Sequence, residues 1–458
     1  MGMVSELRAL LGESAVLDAT AVSGRQAGVW RQDRLKGAAL VRPSSTAQVS
    51  DVMRYCNQRG IGVVTHGGLT GLVHGGDSSD SEVILSLERM HAIEEIDPVQ
   101  RTALVQAGVV LQTLQEAVDA HDLAFPLDLG ARGSCTLGGN VATNAGGNRV
   151  IRYGMTRDMV LGLEAVLADG TVVSSLNHLI KNNAGYDLKH LFIGSEGTLG
   201  IVTRLVLRLR EKPSSNNMAF VAFDRFDNVV TFLKHMDRAL GGTLSAFEVM
   251  WQSFYRQVTT PPAHGRPPVP QDYPYYALVE SLGGNRERDQ QSFQSAMESA
   301  FEAGLVADAA ISQSDADCKH FWGLRDDVVQ TMVGGLPIVF DVSLPVSEME
   351  GYTTALAARL DKDIGDHKLW IFGHLGDGNL HVVVQVKPDL EPKLRPQTEA
   401  AVYEPLARFS GSVSAEHGIG LEKKAWLHVS RNDAEIALMK TLKQALDPKG
   451  ILNSGKVF

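Results

Sequence analysis

Gly138-Gly139-Asn140-Val141-Ala142-Thr143-Asn144-Ala145-Gly146-Gly147-Asn148 sets two Gly-Gly-Asn triplets one eight-residue step apart, within a stretch, residues 130–154, that holds seven glycines. Glycine lets backbone turn tightly and approach a ligand closely, because no Cβ intervenes. Either triplet alone suits a tight turn. Two of them, joined by a second glycine loop at Thr65-His66-Gly67-Gly68-Leu69-Thr70-Gly71, describe a chain wrapped around a flat polar ligand. That second loop follows residues 61–64, which read as a short buried strand, and a strand emptying into glycines brings successive backbone N–H groups to a phosphate. Gly67, Gly68, Thr70 and Gly71 are the expected pyrophosphate cradle. The Gly-x-Gly-x-x-Gly fingerprint is missing from the opening strand and helix, which disfavours a nicotinamide dinucleotide bound in the Rossmann manner.

Outward from these loops, Ser45 with Gln48 forms a candidate capping box, and Val49, Val52, Met53 and Cys56 follow at helical spacing until Gly60. Residues 82–87, 102–107 and 160–167 read as strands and 110–121 as an amphipathic helix. Residues 211–217, Glu-Lys-Pro-Ser-Ser-Asn-Asn, lose all apolar period and mark a domain boundary. Beyond it, strands at 219–223, 275–280, 338–344 and 370–374 alternate with helices, which predicts an α+β lobe. Residues 257–276 contain six of the seventeen prolines and predict an extended loop. From residue 407 the chain carries a Glu416-His417 pair, an amphipathic helix at 433–446 and a glycine-bearing polar tail that is ordered only if something holds it. The expected domains are 1–212, 213–406 and a terminal segment, 407–458, that completes the site and packs on the first domain.

With 458 residues the chain exceeds one hydrophobic core, and 43 basic against 53 acidic residues leave a net charge of −10. Nucleic acid and anionic membranes are therefore poor partners. Cys56, Cys135 and Cys318 are odd in number and widely spaced, so neither a disulfide framework nor a structural zinc site is expected. No segment supplies ~20 apolar residues for a transmembrane span, and the amino terminus lacks a secretory pattern. A cytoplasmic protein is expected.

The densest chemistry lies in Phe372-Gly373-His374-Leu375-Gly376-Asp377-Gly378-Asn379-Leu380-His381-Val382. Gly373 and Asp377-Gly378 suit a turn between a strand ending at His374 and one starting at Asn379. On an extended segment Asn379 and His381 face one side. With Glu416 arriving from the last segment, His374 and His381 form a three-ligand set for a divalent metal with open positions, the pattern of a catalytic site.

The segments Pro126-Leu127-Asp128-Leu129-Gly130, 138–147 and Gly194-Ser195-Glu196-Gly197-Thr198-Leu199-Gly200-Ile201 resemble the FAD lobe of the vanillyl-alcohol oxidase and p-cresol methylhydroxylase superfamily. Within it the chain, over about residues 38–458, resembles the D-2-hydroxyacid dehydrogenase branch, which contains D-2-hydroxyglutarate and D-lactate dehydrogenases. The resemblance implies a p-cresol methylhydroxylase-type FAD-binding domain and an α+β substrate domain with an antiparallel sheet. It implies FAD contacts at Thr65, Gly67, Gly68, Leu69, Thr70 and Gly71, then at Pro126, Asp128, Leu129, Gly133, Ser134, Gly138, Gly139, Asn140, Thr143, Asn144, Gly146 and Gly147, and finally at Glu196, Gly197, Ile201 and Asn453. Members that attach flavin covalently often carry histidine directly after the paired glycines. This chain has Leu69 there, with His66 before them, so dissociable FAD is expected.

By the same resemblance His374, His381 and Glu416 hold the metal, with zinc expected, and Asn379 and His417 line the substrate. The metal would lower the pKa of the substrate hydroxyl, His417 would take its proton, and hydride would pass from the α-carbon to flavin N5. Arg325 matches the arginine that pairs with the α-carboxylate, a role suited to a planar fork. The hydroxyglutarate enzymes carry a lysine two residues before the aspartate of the strand at 338–344, where this chain has Val339. Burying a second carboxylate against valine is costly, so a small acid such as D-lactate is favoured over D-2-hydroxyglutarate or D-malate. A metal hydrolase is the reading from another class, and a superfamily transferase would need a long acyl channel that nothing in the sequence demands. A quinone or an electron-transfer flavoprotein is the expected electron acceptor, and a homodimer the expected assembly.

Overall fold

The computed structural model describes residues 2–29 and 31–458. Met1 and Trp30, which fall inside the expected 1–212 domain, lie outside the described residues. The chain divides into two compact units: residues 1–147, 154–212 and 416–458 form the first, and residues 148–153 and 213–415 the second.

The first unit contains a four-stranded sheet, in the order Val16–Asp18, Ala39–Val41, Val83–Ser86 and Val63–His66, whose last three strands are parallel. Val63, Val64, Val83, Ile84 and Leu85 are buried, the near-continuous apolar run of a parallel sheet covered on both faces. Pairing in register from Val63↔Val83 to His66↔Ser86 carries this strand two residues beyond the expected 61–64 and ends it at the glycine loop. The helix Thr46–Arg59 starts as read, with Ser45 accepting from Gln48 N, and stops at Gly60 with φ +64°. The Gln48 side chain, however, caps Ser44 N–H at 2.8 Å, one residue earlier than a capping box places it. A five-stranded antiparallel sheet follows, in the order Ile93–Asp97, Thr102–Gln106, Ile201–Arg208, Val160–Val166 and Val172–Ser175.

The first Gly-Gly-Asn triplet lies within the helix Leu137–Thr143 rather than in a turn. A Cβ on Gly138 would come within 2.7 Å of Ala107 Cβ, so glycine is what lets this helix close on its neighbour. The polar tail is ordered because it is bonded down. Asp447, fully buried, accepts from Ile451 N at 3.0 Å and Leu452 N at 2.8 Å, and Asn453 N–H donates to Val63 O at 2.9 Å.

The second unit is built on a seven-stranded antiparallel sheet, in the order Asp308–Ile311, Ser215–Phe223, Tyr275–Gly283, Leu244–Trp251, Lys368–His374, Asn379–Gln385 and Ile338–Ser343. Residues directly opposite in such a ladder share a face. One face therefore carries, row by row, Trp370, Val383 and Val339; then Tyr276, Met250, Phe372, His381 and Asp341; then Leu278, Glu248 and His374; and last Glu280. Its apolar part packs against Phe254, Tyr255 and Val258 of the helix Gln252–Thr259 and Cys318, Phe321 and Leu324 of the helix Asp315–Asp326. The remainder of that face collects carboxylates and imidazoles. The proline-rich loop is shorter than 257–276, because helix runs to Thr259 and strand resumes at Tyr275. Two buried phenols pin it, Tyr255 donating to Val269 O at 2.8 Å and Tyr276 to Pro270 O at 2.9 Å. All three cysteines are buried and carry no disulfide. No described helix is long and apolar enough to cross a membrane.

Candidate active site

In the second unit, the strand Lys368–His374 ends on His374, a single 3-10 turn covers Leu375–Asp377, Gly378 takes φ +85°, and the return strand begins at Asn379. The turn places the two imidazoles with ring centroids 5.3 Å apart at 81°. Both rings are buried.

Glu248 governs the His374 ring. Its carboxylate is fully buried and lies 2.6 Å from His374 Nδ1 and 2.7 Å from Arg325 Nε. His374 Nε2 in turn faces the Arg325 Nη2 donor at 3.3 Å. A carboxylate on one nitrogen and a donor on the other assign the proton to Nδ1 and the lone pair to Nε2. Burial pushes the Glu248 carboxyl up, but the His374 ring and the Arg325 guanidinium outweigh it and hold Glu248 below the usual carboxylate range. Arg325 also lies over the Phe372 ring, 5.3 Å from its centroid, so its fork is fixed on two sides.

Asn379 is oriented as firmly. Its Nδ2 donates to Asp341 Oδ1 and to Val342 O, each at 2.9 Å, which assigns the amide; its buried Oδ1 then has no partner among the described residues. An acceptor in that condition calls for a ligand donor such as a hydroxyl. Asp341 also accepts from Ala415 N at 3.1 Å, at the last residue of this unit. Further along the face, Arg149 makes a two-point contact with buried Glu280, at 2.8 and 3.1 Å, and Trp322 Nε1 donates to the same carboxylate at 3.1 Å. The structure thus brings together His374, His381, Asn379 and Arg325 within one unit, while Glu416 and His417 belong to the other. Glu248 and Glu280 were missed in the sequence. Their signal is a carboxylate inside an otherwise apolar strand, as in Ala246-Phe247-Glu248-Val249-Met250.

In the first unit the glycine loop has the shape of a cradle. A Cβ on Gly67 would fall 2.5 Å from Thr136 Oγ1 and one on Gly68 2.1 Å from Ser134 O. Leu69 adopts φ +55°, a left-handed conformation of the kind that turns N–H groups inward around an anion. The hydroxyls of Thr65 and Thr136 are buried with no partner among the described residues, so a bound ligand with acceptor oxygens fits here. Burial pushes the His66 imidazole down to about 4, leaving it neutral, with Nε2 donating to Gly76 O at 2.8 Å.

The second glycine segment lies against the same unit. A Cβ on Gly147 would meet Asp128 O at 2.2 Å and Leu129 Cδ2 at 2.9 Å, and one on Gly146 would meet Glu416 Oε1 at 2.7 Å. Asn453 Oδ1 accepts from Thr65 N at 3.1 Å, and its Nδ2 donates to Glu196 O at 2.6 Å. Burial raises the Glu196 carboxyl, which accepts from Ile419 N and Gly420 N. Not every expected contact points outward. Asn144 caps Arg157 N–H at 2.9 Å, Thr143 Oγ1 donates to Gly139 O at 3.2 Å, and Ile201 is a core residue.

Residues 37–175 match an FAD binding domain and residues 212–457 the C-terminal domain of FAD linked oxidases. The chain belongs to the FAD-linked oxidase family. It is 40% identical to a D-2-hydroxyglutarate dehydrogenase of Xanthomonas citri pv. viticola, over 92% of this chain and 89% of that one. It is 41% identical to the mitochondrial D-2-hydroxyglutarate dehydrogenase of Bos taurus, over 93% and 78%. A putative mitochondrial D-lactate dehydrogenase of Schizosaccharomyces pombe is 37% identical over 92% and 81%. Among solved structures, 4-ethylphenol oxidase from Gulosibacter chungangensis aligns with TM-score 0.75 at 20% identity, covering 99% of this chain and 96% of that one, and shares the fold. The expected p-cresol methylhydroxylase-type architecture is therefore present in this FAD-linked oxidase.

Removing Glu248 strands a guanidinium and an imidazole in a buried site. Glu248→Ala is expected to cost about 3–5 kcal/mol of stability, read as a lower denaturant midpoint, whereas an unchanged midpoint would show that the pair is solvated.

Proposed function

We propose that this protein oxidises a D-2-hydroxyacid to the 2-oxoacid, using FAD and a divalent cation, zinc by ligand type, held by His374, His381 and Glu416. The observation that carries this reading is the contact of buried His374 Nδ1 with Glu248 at 2.6 Å, which leaves Nε2, facing Arg325 Nη2 at 3.3 Å, as the nitrogen a cation would take, the carboxylate-backed arrangement of a metal-ligating histidine. His381 is the ladder partner of Asp341, and Asp341 accepts from Ala415 N–H. Glu416 is the next residue, and consecutive Cα atoms are about 3.8 Å apart, which supports its place as third ligand.

When bound, the cation would acidify a substrate hydroxyl and FAD would accept the hydride. The protein's own groups do the rest. Arg325, over the Phe372 ring and bonded through Nε to Glu248, supplies the positive charge for the α-carboxylate. Asn379, its amide fixed by Asp341 and Val342 O, lines the substrate. His417, next to Glu416, takes the hydroxyl proton as general base. The buried Phe372 and Leu375 keep this end of the sheet dry, which strengthens each of these contacts.

For the substrate side chain, we favour a small acid without a second carboxylate, with D-lactate as the example. Val339 shares the face of Asp341 and is 45% exposed; Val329, Met332, Val333 and Leu336 are exposed nearby in sequence, and residues 328–344 contain no basic side chain. The hydroxyglutarate dehydrogenases among the relatives favour the second reading, D-2-hydroxyglutarate.

Anaerobic titration of the holoenzyme with D- and L-2-hydroxyacids, followed by bleaching of flavin absorbance, tests reaction and substrate together. Bleaching by D-lactate and not by its L-form is expected, and no bleaching by any member of the panel would exclude the activity. Val339→Lys should move relative specificity toward D-2-hydroxyglutarate by about tenfold, the worth of one charge-assisted contact; an unchanged ratio would remove Val339 from the pocket. His374→Ala and Glu416→Ala should each lose bound metal, read by elemental analysis, and substrate-driven bleaching, while retaining the flavin spectrum. Full reduction in metal-free variants would refute the cation's role.

A further inference from the structure

Lys456 is 4% exposed, and neither a hydrogen bond nor an ion pair joins its ammonium to any described residue. A largely buried lysine whose ammonium makes no direct contact with a carboxylate is suited to receive an anion. Burial lowers its pKa, with Glu82 and Asp77 offsetting this only in part and Lys443 adding a like charge.

Its surroundings are those of the glycine cradle. Lys456 N–H donates to Asn453 O at 3.3 Å, Asn453 Oδ1 accepts from Thr65 N, and the next residue, Val457, bonds to Gly420 O at 2.9 Å. The same neighbourhood contains the unpartnered hydroxyl of Thr65 and the neutral, buried His66, which feels the charge of Lys456 directly. Asn453 and Lys456 belong to one tail segment, fixed by Asp447.

We propose that Lys456 is a cofactor-binding residue, its ammonium pairing with an anionic oxygen of bound FAD. This rests on the flavin reading above. Two oxygens have the right chemistry, those of the pyrophosphate and the carbonyl edge of the ring, which becomes anionic on reduction. Lysine suits either one, as a compact point charge that can approach a single oxygen.

The test compares wild-type holoenzyme with Lys456→Met, which keeps the length and loses the charge, and Lys456→Arg, which keeps the charge. FAD release on dilution is followed by the recovery of flavin fluorescence, and the flavin midpoint potential by dye equilibration. Lys456→Met should weaken FAD binding by at least about tenfold, the scale of one charge-assisted hydrogen bond, and Lys456→Arg should recover most of it. A weakened FAD with unchanged potential assigns the pyrophosphate; a lowered potential assigns the ring. Wild-type FAD retention and potential in Lys456→Met would overturn the proposal, whereas a wild-type protein purified without flavin would overturn the flavin reading itself.

Discussion

Glu248 is a carboxylate with no exposure at all, set in the middle of a seven-stranded sheet, and such a group is tolerated only where its charge and lone pairs are met. Arg325 and His374 meet them from two sides. Their positions are fixed by different elements: Arg325 by the last turn of the helix Asp315–Asp326, His374 by the final residue of its strand. The carboxylate therefore locks helix to sheet and selects the imidazole tautomer in one contact. Remove it and three features fail together, namely the lone pair on His374 Nε2, the direction of the Arg325 fork and the seating of the helix on Phe372. The arrangement specifies geometry more than it adds stability, since a buried ion pair gains little over well-packed apolar groups.

The first unit obeys a different constraint, close approach of backbone to backbone. Gly68 and Gly147 sit where any Cβ would overlap a carbonyl oxygen, so the loops around Ser134 and Asp128 are held at a spacing that no other residue permits. Backbone brought that close presents N–H groups and hydroxyls in one small volume, as Thr65 and Thr136 do. The carboxyl-terminal tail then becomes part of the same framework, because Asn453 bridges Thr65 and Glu196 while Asp447 caps the turn that delivers it. An exposed polar tail by composition is thus a structural tie by bonding.

How much of this was legible in the sequence depended on whether the signal was local. Turn chemistry at Asp377-Gly378 gave the two ends of the hairpin, His374 and Asn379, to the residue, and amphipathic spacing gave the last helix, Asp433–Leu446. Strand ends set by partners were not legible: residues 61–64 look complete alone, and only the ladder with Val83–Ser86 extends the strand to His66. The helix at Leu137–Thr143 was hidden for the opposite reason, since a glycine that weakens a helix, Gly138, is required here by Ala107. Among candidate site residues, the histidines and Asn379 stand out by density around a turn. Glu248 did not, because its role exists only once Leu244–Trp251 pairs with Lys368–His374 across 126 residues of sequence.

The edge position of Ile338–Ser343 bears on how freely its side chains can change. A central strand has both neighbours to satisfy, so a change of side chain there disturbs packing in two directions. An edge strand has one. Asp341 on this edge is fully buried and tied to Asn379 and Ala415, hence fixed, whereas Val339, two residues away on the same face and opposite Val383, is 45% exposed. Valine or lysine can stand there at little cost to the fold, because the lysine stem covers apolar surface while its ammonium reaches water or a ligand. The sheet thus separates fixed positions from a free one: Glu248, Asp341, His374, Asn379 and His381 lie in its buried rows, and Val339 lies at its open margin.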